Sequence, residues 1–199
     1  MTETNKPPVA LLSYGFRPFF LLAALWSAAA IAVWLWLLHT GSQLPSRFDA
    51  MTWHIHEMIF GFVMAAIAGF LLTAIANWTG RPPIQGLTLG VLVTAWIVGR
   101  FVCWYSAALP PALVLVGDLA LPILLVILVL REVMLARNWR NMPMAAPVAV
   151  LGVADLLMHL ASLGWNLPVR SAGTCLSQPS WSCSRPWQAA LFRPSLATG

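Results

Sequence analysis

Charge is what this sequence has least of. Only 9% of its 199 residues are Asp, Glu, Lys or Arg, against roughly a quarter in a soluble domain. That excludes a soluble protein. It also excludes disorder, which requires high charge and low hydrophobicity. Cysteine is scarce as well: three residues with no repeated spacing make neither a disulfide framework nor a zinc site. Acidic residues number six, and no hydrolytic pairing of nucleophile and base is evident. Bases outnumber acids, for a formal charge of +5. They stand singly between apolar runs and form no basic stripe, so nucleic acid is excluded as a partner.

What the chain has instead is apolar length. Hydrophobic residues make up 60%, with eleven Trp, and the mean hydropathy is +0.80. Phe19 to Leu38 runs without a charge, enough for a helix to cross a hydrocarbon core of about 30 Å. The stretch is too long for the apolar region of a cleavable signal. Four more such stretches follow. Punctuation comes from the NWTGRPP string, the Pro110-Pro111 pair and the basic Arg131–Asn141 segment, since proline cannot continue a helix. The expectation is an all-α polytopic membrane protein. A tail over 1–16 precedes a membrane domain over 17–167, with spans near 18–39, 54–77, 86–109, 111–131 and 144–166. With alternating spans, Lys6, Arg17, Arg81, Arg131, Arg137 and Arg140 fall on one side and Arg47 alone falls in a link on the other. The positive-inside rule then puts the N-terminus in the cytoplasm.

Residues 168–199 change character. From 169 onward they hold two of the three cysteines, six serines and three arginines, with no helical period. One reading is a polar tail. The other is a shifted reading frame: synonymous codons for Trp187 to Gly199, read one base earlier, can spell MAGRIIPSFTGNW. The expectation is that residues 168–199 are the product of a shifted frame.

Ionisable groups inside a bilayer are expensive and need a partner or a role. All four histidines, His39, His54, His56 and His159, fall in the outer half of the topology. His39 reads as a headgroup-level residue. Imidazole is a common ligand for haem iron and copper. His54 and His56 differ by about 200° around a helix, so they serve two centres, or one ligates while the other is structural. In an extended segment both would face one metal. His54 and Met58 share a helical face, a pair suited to copper or haem. Glu57 suits a carboxylate that orients a ligand imidazole. Arg100 and Asp118 either neutralise each other or leave Arg100 to bind a haem propionate. Asp155 and His159, four apart, form a candidate hydrogen-bonded pair. Gly61, Ala65, Ala68 and Gly69 make a small-residue stripe, either a close-packing face or the wall of a flat cofactor's slot.

The strings YGFRPFFLLAA, WHIHEMIFGFVMAAIAGFLLTAIANWTGRP and GRF resemble the NnrS family over about residues 1–167. The shifted-frame string GRIIPSFTGNW looks like a later motif of the same family. The resemblance implies a bacterial inner-membrane protein of more spans than this chain has, which makes this chain a partial or non-functional fragment and its missing C-terminal half an expected partner. It also implies haem and copper as cofactors and a part in nitric oxide response and nitrosative stress resistance. Carried over by position, His54, His56 and His159 become the metal residues. Arg100 and Met58 remain cofactor contacts, and Glu57 and Asp155 their supporting carboxylates. Nitric oxide and the lipid bilayer are the expected partners. A transporter, or a haem-based sensor without redox turnover, is the competing reading.

Overall fold

In the computed structural model, residues 10–165 are described, and the fold is all-helical, as expected. The 168–199 tail and the first nine residues lie outside the described residues. Five helices are long and apolar enough to cross a membrane. Among the described residues they are α1 (Phe16–Thr40), α2 (Ala50–Thr79), α3 (Gly86–Trp104), α4 (Pro111–Leu135) and the stretch Trp139–Ser162, whose α-helical part is α5 (Ala146–Ser162). A short 3-10 segment, Trp139–Ala145, leads directly into α5.

Local sequence explains the ends. α1 and α2 each stop at a glycine in the left-handed region, Gly41 (φ 66°) and Gly80 (φ 64°). The N–H of each glycine bonds back to Leu37 O and Ala76 O, the geometry that glycine takes without strain. α2 opens on Asp49, whose carboxylate accepts from the N–H groups of Met51 and Thr52 and from the Thr52 hydroxyl. α4 opens with Pro111 in its first turn, where the missing N–H removes no helical bond.

The bundle is inverted relative to a soluble protein. Leu35, Phe70, Val116, Ile127 and Val150 are more than half exposed. The buried set includes Glu57, Arg100, Asp118, Asp155, His56 and His159. Water would reject both choices, whereas lipid accepts the apolar exterior and forces the charges inward. Phe19, Ala65, Ala68, Leu72, Leu89 and Leu125 lie in the main apolar core.

The small-residue stripe of α2 turns out to be a packing face. A Cβ at Gly69 would lie 2.8 Å from the Phe20 ring, and one at Gly61 2.5 Å from Trp26 Nε1. Side chains of α1 therefore fill the space beside the stripe, which leaves no slot for a flat cofactor there. Alternating helices also explain where polar groups meet. His56 is early in α2, Arg100 late in α3, Asp118 early in α4, and Asp155 and His159 late in α5. All five lie at the bundle end that carries the 41–49 and 105–110 links.

Candidate metal centre

α2 departs from α geometry where the chemistry begins. Residues Glu57–Val63 form a π-helical segment directly after His56. Such wide turns are uncommon and recur at functional sites. Here the segment buries His56, Glu57, Phe60 and Gly61 together. In α4, Pro122 removes the helical bond to the Asp118 carbonyl. Gly152 of α5 packs on the Pro122 ring, where an added Cβ would approach to 3.2 Å. That contact draws α5 in, and its next polar residues are Asp155 and His159. A Cβ at Gly99 would lie 2.8 Å from Asp118 Oδ1, so α3 approaches α4 closely only because Gly99 has no side chain.

Two linked layers result. In the first, His56 Nε2 lies 2.9 Å from Asp155 Oδ1 and 3.2 Å from Asp118 Oδ2. His159 Nε2 lies 2.9 Å from the same Asp118 Oδ2 and 3.6 Å from Asp155 Oδ1. The i, i+4 pair expected of Asp155 and His159 therefore does not form as a hydrogen bond. Each group reaches across to another helix for a nearer partner. In the second layer, Arg100 donates from Nη1 to Glu57 Oε2 at 2.6 Å and from Nη2 to Asp118 Oδ1. Trp26 of α1 donates to the same Glu57 oxygen at 2.8 Å. Glu57 Oε1 lies 3.3 Å from His56 Nδ1. Arg100 and Asp118 do neutralise each other, and Glu57 shares the guanidinium.

The site is closed off. His56, Glu57, Asp118, Asp155 and His159 are each no more than 4% exposed. Phe48, from the α1–α2 link, has its ring centroid 5.0 Å from that of His56 and 5.2 Å from that of His159. Phe60 stands 5.0 Å from His56. Above them the Arg47 guanidinium donates to Leu109 O at 2.7 Å, and the Arg47 N–H donates to the Ser106 hydroxyl. A void of about 10 Å³ touches Arg100, Asp118 and Asp155, room for about one water. Arg100 Nε, buried beside it, has no hydrogen-bond partner among the described residues.

The remaining expected residues lie apart from this cluster. His54 stacks on Trp34 of α1, ring centroids 4.4 Å apart and planes 16° apart, and its Nδ1 is buried without a partner among the described residues. Met58 packs in a smaller apolar cluster with Leu37, Phe48 and Trp53. Three participants were not among the expected site residues. Asp118 was read as a counter-ion for Arg100, yet one of its oxygens serves both imidazoles. Trp26 is one of eleven tryptophans, and nothing in sequence singles it out. Cys103, with Sγ 3.5 Å from His56 Nδ1, was set aside with the other cysteines. Its place three residues after Arg100 on the same apolar helix was the available signal.

The family model described as NnrS protein matches residues 10–181. The match runs past residue 168, so family-like sequence extends into the segment expected to be out of frame. No curated protein matches the chain, and no solved structure does.

Proposed function

The chain belongs to the NnrS family, and on that premise we propose that it is a multi-pass protein of the bacterial inner membrane that uses bound metal to counter nitric oxide. The observation that carries this reading is the closed His–carboxylate cluster inside a bundle whose exterior is apolar. Ionisable groups at that depth are retained where they hold or move something. The N-terminus and the Arg131–Asn141 segment face the cytoplasm in this reading, which puts the cluster in the outer half.

Of the two cofactors the family implies, copper fits the cluster and haem does not. Imidazole and carboxylate are suitable donors for a copper ion. A haem between His56 and His159 would need its macrocycle in the space that Asp118 and Asp155 occupy, and Phe48 and Phe60 crowd the rings from the sides. His54, on the α1 side of α2, is the imidazole left for a second centre. Bound copper would supply a one-electron couple and a coordination site for nitric oxide. The chain's own residues supply the rest. His56 and His159 hold the ion, Glu57 orients the His56 ring, and the Phe48 cap excludes water. The polar path that a transporter needs is less well served, because Arg100, Asp118 and Asp155 are spent on near neighbours and the void beside them is about 10 Å³.

The test is nitric oxide consumption by membranes containing the full chain, with reductant supplied. Loss in the double variant His56→Gln/His159→Gln supports the proposal. Consumption no faster than in membranes lacking the chain overturns it.

A further inference from the structure

The cluster contains four donor atoms on four sides of one point. His56 Nε2, Asp155 Oδ1, His159 Nε2 and Asp118 Oδ2 all lie within 4.8 Å of one another. Around the ring, nitrogen alternates with oxygen at 2.9, 3.6, 2.9 and 3.2 Å. Bonds of about 2.0–2.1 Å to a single ion set neighbouring donors about 2.9 Å apart in a square and about 3.3 Å apart in a tetrahedron. The four separations bracket those values. Hydrogen bonding alone does not explain the ring. Each imidazole nitrogen carries at most one hydrogen, yet His56 Nε2 faces two carboxylate oxygens, one of Asp155 and one of Asp118.

Charge makes an independent case. Glu57, Asp118 and Asp155 are three carboxylates against one guanidinium, that of Arg100. With neutral imidazoles the buried set carries two negative charges in excess. In a low-dielectric interior such an excess is strongly unfavourable. One divalent cation cancels it and uses the free lone pair of each neutral imidazole, which protonation of both rings would remove. The second layer is built to support such an ion: Arg100 holds the other oxygen of Asp118, and Glu57 faces the other nitrogen of His56. Carboxylate partners of this kind fix the tautomer and the ring plane of a ligating histidine.

We propose that His56, Asp118, Asp155 and His159 form a four-coordinate, non-haem site for one divalent transition-metal ion, with both aspartates as ligands and with Arg100 and Glu57 as positioning residues. The inference rests on the metal reading above and adds to it two anionic ligands and a charge requirement. Two nitrogens and two oxygens are borderline-to-hard donors, which favour the divalent state of a first-row ion such as copper over its softer monovalent state.

The experiment uses cobalt(II) alone as the probe, added to the full chain in detergent after chelator treatment. One equivalent is expected to bind, with the visible absorption of a four-coordinate ion. Asp155→Asn and His159→Gln preserve size and leave the Arg100–Asp118 pair in place, and near-ultraviolet circular dichroism of the tryptophans checks that they fold. Each is expected to weaken binding more than tenfold. Glu57→Gln is expected to weaken it about 10–100-fold, with a shifted spectrum and the stoichiometry retained. His39→Gln should leave binding unchanged. Absence of binding by the parent chain, or unchanged affinity in both ligand variants, overturns the site. Nitric oxide consumption without cobalt binding would sink this inference and leave the proposed function standing. Binding without consumption would do the reverse.

Discussion

Two networks of the same chemistry sit at opposite ends of the bundle. At one end Arg100 is held between Glu57 and Asp118, with 6% of its side chain exposed and the two carboxylates fully buried. At the other, Arg81 and Arg131 flank Glu132 at 2.6 and 3.0 Å, with 38% and 61% of their side chains exposed. Bond lengths alone would rank the two as equals. Solvent separates them. Exposed arginines keep water as an alternative partner, so their ion pairs contribute little net. The buried arginine has no alternative, so removing it strands two carboxylates. The exposed network also ties loops, since Asn138 donates to Trp78 O beside it at 2.6 Å, whereas the buried network organises a site.

Substitutions can sharpen that contrast. The largest effect is expected at the buried end. Arg100→Met should lower unfolding stability in detergent by about 3–5 kcal/mol, the usual consequence of breaking a buried pair. The triple variant Glu57→Gln/Arg100→Met/Asp118→Asn should be less damaged than Arg100→Met alone, because it leaves one buried carboxylate, Asp155, in place of three. If the triple variant is the worse of the two, the stranded-charge account is wrong.

An intermediate effect is expected at the α2 N-terminus. Asp49→Ala should destabilise by about 1 kcal/mol at neutral pH through loss of the cap. Burial pushes the Asp49 carboxyl up, but bonds from the Thr52 hydroxyl and from the N–H groups of Thr52 and Met51 outweigh it and hold it below its ordinary 3.8. A lowered folded-state value means that its contribution is fully present above the ordinary carboxylate range. It is lost as pH falls through the folded value. The gap between parent and Asp49→Ala in thermal denaturation should therefore narrow on acidification. A gap that widens would contradict the assignment.

The smallest effect is expected at the exposed end. Arg131→Ala should change stability by no more than about 1 kcal/mol, and by less in high salt. A loss comparable to that of Arg100→Met would mean that exposure does not set the difference between the two networks.

Composition and punctuation alone determined the class of this protein. A chain with so few charges and five long apolar stretches can satisfy its backbone in lipid only as helices, and glycine and proline mark where those helices end. The family motifs were equally legible, because they are long and local. The site was legible only in part. His56, Glu57, Arg100, Asp155 and His159 could be flagged singly, since an ionisable group in an apolar span is conspicuous wherever it lies. Their partnerships could not. Asp155 and His159 are four residues apart on one helix, yet each finds a nearer partner on another helix, through the approach that Gly99, Gly152 and Pro122 permit. His54 and His56 look equivalent as letters, and only the bundle sends one toward Trp34 and the other into the carboxylates. Sequence fixes which groups must be hidden from lipid. Tertiary packing decides which of them meet, because separations of 2.9 to 3.2 Å between α2, α4 and α5 depend on how closely three backbones approach.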